Sequence, residues 1–163
     1  MISYDFHLSL AYWLGFVSRS IERALEEHLA PHGVGLQEVK ILACLAMCEE
    51  LSQSELGAMI GIEPSTLVRA LDRMEKCGWV RRHPSARDRR KKLIRATEQA
   101  KPIWKKIVQE GEKIEKQATA GISKPELQQL QETIRQLVRN LDGSADSRSA
   151  EECDPEQSKP ERR

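Results

Sequence analysis

Long apolar runs are missing from this chain of 163 residues. No stretch approaches the roughly 18 consecutive apolar residues that a membrane span requires. Met1 to Phe6 hold no basic residue, and Asp5 precedes the first apolar run, so no secretory signal peptide is expected and the expected compartment is the cytoplasm. Cysteine is sparse. Cys44, Cys48, Cys77 and Cys153 form no CxxC pair and no zinc spacing, which argues against a disulfide scaffold and a zinc finger and leaves reduced thiols as the expectation. His7, His28, His32 and His83 show no metal-ligand spacing either and read as surface or capping residues. Aromatic residues make up only 4% while charged residues reach 31%, a balance that suits long helices better than a sandwich or barrel. There is no internal repeat, acid/base pair, nucleophile constellation or phosphate loop, so an enzyme is not expected, nor a cofactor or a metal. Charge of one sign is also lacking overall: 26 basic residues face 25 acidic ones, and the formal net charge is +1.

That balance conceals a polarised distribution. Between Arg81 and Arg95 the chain carries Arg81, Arg82, Arg87, Arg89, Arg90, Lys91, Lys92 and Arg95 against Asp88 alone. So dense a positive run repels itself unless it meets a polyanion.

The hydrophobic pattern is helical nearly throughout. Leu10, Leu14, Val17, Ile21, Leu25 and Leu29 predict one long helix over residues 8–29, broken by Pro31, Gly33 and Gly35. Val39, Leu42 and Leu45 predict a second over 36–48. Ser52 and Glu55 have capping-box spacing and open a short helix that buries Leu56, Met59 and Ile60. Gly61 suits a tight turn of positive φ, and Pro64 suits the first turn of a further helix that ends at Gly78. Trp79 to Arg82 and Leu93 to Arg95 have strand-like composition around the turn formers Pro84, Ser85 and Asp88, which predicts a two-stranded hairpin with a basic tip. Thr97 is placed to cap a helix reaching about Ala120, with Ile103, Ile107, Ile114 and Ala118 as its stripe. Ser123 and Glu126 repeat the capping-box spacing before a last helix whose Leu127, Leu130, Ile134, Leu137 and Leu141 form a coiled-coil-like seam. A seam this short needs a partner. Residues 143–163, rich in Ser, Pro, Glu and Arg, are expected to be a disordered tail.

The expected fold is therefore mainly α with a small β wing: a winged helix-turn-helix between long N- and C-terminal helices. Residues 1–34 form the N-terminal helix, 35–96 the DNA-binding domain and 97–142 the C-terminal helices. In such a motif the second helix enters the major groove. Leu67, Leu71 and Met74 would hold its inner face. Ser65, Thr66, Arg69, Arg73 and Lys76 would offer donors on the outer one, where Arg is the usual reader of guanine. The ordinary alternative is an exposed helix face with a local pair such as Asp72 to Lys76. Gly57, four residues before Gly61, would let the two helices of the motif cross closely, and the basic hairpin would follow the DNA backbone with Arg87, Arg89, Arg90 and Lys91.

The run Leu56 to Arg82, LGAMIGIEPSTLVRALDRMEKCGWVRR, together with the wing run Ser85 to Lys92, SARDRRKK, resembles the MarR-type regulators, nearest to their SlyA-like branch, over about residues 8–142. The resemblance implies a homodimer built from the first and last helices, palindromic operators in double-stranded DNA, and release by a small phenolic or aromatic carboxylate effector. It makes Arg69 the recognition-helix arginine, Arg90 the arginine placed in the minor groove, and Asp88 an acid that braces a neighbouring arginine. Two positions depart from the pattern: Gly57 stands where Ala is usual, and Ala96 where Leu is usual. The family's pocket lies between the dimer helices and the reading domain. Tyr12, Trp13, Phe16, Arg19 and Val39 are its candidate lining here, though the three rings are more often dimer core than ligand wall. The expected function is a sequence-specific, ligand-responsive DNA-binding repressor. The alternatives are a redox-switched regulator, with Cys77 beside Lys76 as the candidate thiol, and an architectural or anti-silencing DNA binder without effector.

Overall fold

The computed structural model describes residues 9–85 and 91–142, apart from the side chain of Asp142. Six α-helices and three short strands follow one another among the described residues. Helix α1 (Leu10–Leu29) starts where the Ser9 hydroxyl accepts the Tyr12 N–H at 3.2 Å. A 3-10 turn, Ala30–His32, ends at Gly33, whose φ of 69° is the left-handed value that stops a helix cheaply only at glycine. Helix α2 (Leu36–Met47) then leads through strand β1 (Glu50–Ser52) into α3 (Gln53–Ile60). The expected capping box is present: Glu55 N–H reaches the Ser52 hydroxyl at 3.3 Å, and Ser52 N–H donates to the Glu55 carboxylate at 2.7 Å. Gly61 closes α3 with φ 63°, and α4 (Pro64–Lys76) begins three residues on.

Strands β2 (Val80–Pro84) and β3 (Lys92–Ala96) pair antiparallel, as the composition suggested. The sheet has a third member, however. β1 pairs with β3 on the side away from β2, Leu51 opposite Ile94, so the order is β1-β3-β2. Three residues are too few to show a period of two, and the capping signal at Ser52 masked the strand that ends there. A second correction concerns Thr97. Its hydroxyl does not cap a helix but donates to the Gly78 carbonyl, tying the end of the wing to the end of α4. A 3-10 turn, Glu98–Ala100, follows before α5 (Lys101–Ala118), and Gly121, φ 85°, separates α5 from α6 (Lys124–Asp142).

One core holds the middle of the chain together. Ile41, Leu42 and Leu45 of α2, Leu56 of α3, Leu67, Ala70, Leu71 and Met74 of α4, Val80 and Ile94 of the sheet, and Ile107 of α5 are all buried, with Leu29 closing one end. Of the expected α5 stripe, Ile103, Ile107 and Ile114 face inward and Ala118 does not. The two ends differ. Leu10, Leu14, Val17 and Ile21 on α1, and Leu130, Ile134, Val138 and Leu141 on α6, are exposed. No helix among the described residues is long and apolar enough to cross a membrane.

Candidate nucleic-acid interface

The α3–turn–α4 unit sets one helix with a wholly buried inner face and a wholly exposed outer one. Leu67, Ala70, Leu71 and Met74 are at most 1% exposed, while Ser65, Thr66, Arg69, Arg73 and Lys76 all lie on the surface. The spacing of three and four residues produces that division. The close crossing expected at Gly57 is there: a methyl group added to it would sit 3.4 Å from Leu67 Cδ2, ordinary contact, so the usual Ala would fit as well. An open cavity of about 490 Å³ lies at this crossing, lined by Gln53, Ser54, Gly57, Ala58, Ile62, Pro64 and Leu67.

Ion pairs sort the basic residues into two groups. Arg73 is paired although its side chain stays 60% exposed. Its Nε and Nη2 both donate to Glu38 Oε1, at 3.1 and 2.5 Å, and the Glu38 side chain is 7% exposed. Arg82 is clamped between Asp72, at 2.7 Å, and Glu75, at 2.5 Å, and its own N–H adds a bond to Glu75. The local Asp72–Lys76 pair considered from the sequence is therefore replaced by an α4-to-β2 brace. Arg95 lies 3.4 Å from Glu49, and His83 Nε2 lies 3.1 Å from the Glu50 carboxylate. Among the described residues, Arg69, Lys76, Arg81 and Lys92 have no ion pair, and all four are exposed. Lys91 is exposed too and lends its charge to holding the Glu55 carboxyl below the usual range, an effect led by the Ser52 hydrogen bonds. An outer face with unpaired cations on both helix and wing is what phosphate contact needs, since each cation displaces condensed counterions. Arg87, Asp88, Arg89 and Arg90, the tip of the expected wing, lie outside the described residues, as do His7, Cys153 and the expected tail.

The five residues expected to line an effector pocket lie on α1 and α2. Val39 belongs to the buried core. Tyr12, Trp13 and Phe16 contact one another on the exposed surface of α1, with ring centroids 5.5 to 6.4 Å apart, and Arg19 folds back over Gly15 on the same helix. Cys77 is an exposed free thiol at the C-terminal cap of α4. Cys44 is free and buried, and burial pushes its thiol pKa up. Cys48 is disulfide-bonded, so the expectation of reduced thiols does not hold for it.

Two buried carboxylates escaped the sequence reading. Glu38 anchors Arg73, and Glu110 gathers three partners: His28 Nδ1 at 3.0 Å, Lys106 Nζ at 2.9 Å and Lys113 Nζ at 2.9 Å. Those hydrogen bonds, Lys106 first, hold the Glu110 carboxyl down to about 2. A signal existed for Glu110. It stands between Ile107 and Ile114 on the stripe that faces inward, where a carboxylate must find partners. No group of three His, Cys, Asp or Glu able to hold a metal occurs among the described residues.

The arrangement of α3, turn, α4 and a small antiparallel sheet defines a winged helix-turn-helix, flanked by long helices. Residues 35–92, from the N-cap of α2 to the first residue of β3, match the model described as the MarR family. Solved structures with the same fold include a MarR-family transcriptional regulator from Silicibacter pomeroyi, with a TM-score of 0.74 and 21% identity over 83% of this chain and 91% of that one. A cysteine-to-serine mutant of MarR from E. coli, complexed with operator DNA, gives a TM-score of 0.70 at 24% identity over 83% of this chain and 99% of that one. CouR from Rhodococcus jostii RHA1, bound to p-coumaroyl-CoA, gives 0.69 at 24% identity over 83% and 95%.

Proposed function

We propose that this protein is a MarR-type, ligand-responsive transcription repressor that binds palindromic double-stranded DNA as a homodimer. The observation that carries the reading is the outer face of α4. It bears Ser65, Thr66, Arg69 and Lys76 in the open, with Arg81, Lys91 and Lys92 exposed on the wing that follows, while Arg73, Arg82 and Arg95 are taken up by acids. Residues 35–96 read DNA in this scheme, and Arg87, Arg89 and Arg90 extend the contact. Residues 1–34 and 97–142 pair two copies through the exposed apolar faces of α1 and α6. The runs LGAMIGIEPS and SARDRRKK favour the SlyA-like branch. A dimer presents its two α4 helices to successive major grooves, about 34 Å apart. An effector, of the small phenolic or aromatic carboxylate class, acts by binding better to a spacing of the two heads that no longer fits DNA. The structure of CouR with p-coumaroyl-CoA supports an aromatic acyl effector on this fold.

The test is fluorescence anisotropy on the duplex upstream of the protein's own gene against a scrambled duplex, over a salt series. Selective binding that weakens steeply with salt is expected. Arg69→Ala is expected to cost about 1–3 kcal/mol and to relax sequence preference, the mark of a base contact. A uniform loss on both duplexes would make Arg69 a phosphate contact. Equal binding of the wild type to both would favour an architectural DNA binder, and no binding by folded protein at low salt would sink the assignment. A redox-switched regulator is the second reading, favoured by the exposed Cys77 thiol and the bonded Cys48. It predicts that peroxide alters operator affinity and that replacing the cysteines by serine removes the effect.

A further inference from the structure

We infer that Glu38 is a positioning residue for α4, and that Arg73 serves the aim of that helix through Glu38 instead of touching DNA. The inference rests on the DNA-binding reading above and deepens it.

The Glu38 carboxylate is the joint between two elements. Its Oε1 accepts both Nε and Nη2 of Arg73, from the last turn of α4. Its Oε2 accepts the Gly35 N–H at 3.1 Å, at the N-cap of its own helix. The start of α2 and the face of α4 are thereby fixed to the two oxygens of one group. A planar guanidinium held through two nitrogens has little freedom to turn away, and a lysine could not reproduce that geometry. Gly35 is part of the joint. Its φ of −94° suits any residue, yet a methyl group there would fall 2.7 Å from Glu38 Oε2. The glycine therefore leaves room for the carboxylate and is not needed for the turn.

The other side of α2 carries the second half of the argument. Lys40 Nζ lies 2.8 Å from Glu22 of α1. Two residues apart on a helix means nearly opposite faces. So α2 is pinned to α1 through Lys40 and to α4 through Glu38, and it stands as a strut between the exposed apolar helix and the helix that faces DNA. A buried carboxylate with its partners in place favours one arrangement of that strut, because any other leaves the charge unpaired.

The experiment measures operator and scrambled-duplex affinity across a salt series for Arg73→Ala, Glu38→Gln, their double variant and Gly35→Ala, each checked by circular dichroism and thermal melting. A positioning role predicts that each single variant loses operator selectivity by about tenfold, the size of effect usual for changes away from the contact. The slope of log affinity against log salt stays unchanged, and the double variant is no worse than the worse single one. Gly35→Ala, which alters neither charge, follows Glu38→Gln in direction and keeps the test open if Glu38→Gln melts early. The proposal is overturned if Arg73→Ala lowers the salt slope by about one while Glu38→Gln and Gly35→Ala leave selectivity intact, since Arg73 is then a phosphate contact. Wild-type protein that binds neither duplex overturns the DNA-binding reading itself, and this role with it.

Discussion

The middle of this chain and its two ends are built from the same kinds of residue at the same spacings, yet only the middle buries them. Leu67, Leu71 and Met74 on α4 disappear into a core shared by α2, α3, the sheet and α5. Leu14, Val17 and Ile21 on α1, and Leu130, Ile134 and Leu141 on α6, have equal hydrophobicity and stay exposed. Amphipathic periodicity therefore forms a helix in both regions, but what the apolar face meets differs. In the middle of the chain it meets other parts of the same chain. On α1 and α6 it stays exposed, and contiguous exposed apolar faces are the kind that serve for association. A second copy of the chain is the occupant proposed above.

Two substitutions set the regions against each other. Leu71→Ala removes a fully buried side chain from the centre of the head and is expected to cost about 2–5 kcal/mol by denaturant unfolding. That loss appears at every protein concentration. Ile134→Asp on α6 is expected to cost about 1–3 kcal/mol per copy, for an apolar contact replaced by a buried charge, and to act through assembly. Sedimentation should show the mass fall from dimer to monomer, and the melting temperature should lose its dependence on concentration. If the mass does not change, α6 is not where two copies meet, and the difference between the regions needs another cause.

How far the sequence revealed each region follows from what carried the signal. Helices, the Ser52–Glu55 and Ser123–Glu126 caps and the glycine stops at Gly61, Gly78 and Gly121 are local chemistry, and the structure has them where the residues indicate. β1 was not legible, because its existence depends on pairing with β3 some forty residues later. The outer face of α4 was legible as a set of donors, but not which donors remain free. Arg73 and Arg69 look alike in the sequence. Only the fold shows that Glu38, distant along the chain, faces one and not the other. The same holds for Arg82, one residue of the basic run between Arg81 and Arg95, whose partners are Asp72 and Glu75. An effector site was the least legible feature, since its candidate residues came from two helices whose relation depends on tertiary packing.

The smallest expected effect lies where the two regions join. Glu110 of α5 is held by His28 of α1 and by Lys106 and Lys113 of its own helix. Its three partners are at least partly exposed, so each contact is weak beside a core leucine. Its carboxyl is lowered to about 2 from an ordinary value of 4.5. A depressed folded-state pKa means that the unfolded chain binds the proton more readily, so the contribution is complete above about pH 4.5 and fades as pH falls toward 2. Glu110→Gln should therefore lower the melting temperature modestly at pH 7 and converge with the wild type near pH 2. If the two curves stay parallel throughout, the stabilisation is packing and not charge, and α1 is fastened to α5 by Leu29 and Ile107 rather than by this cluster.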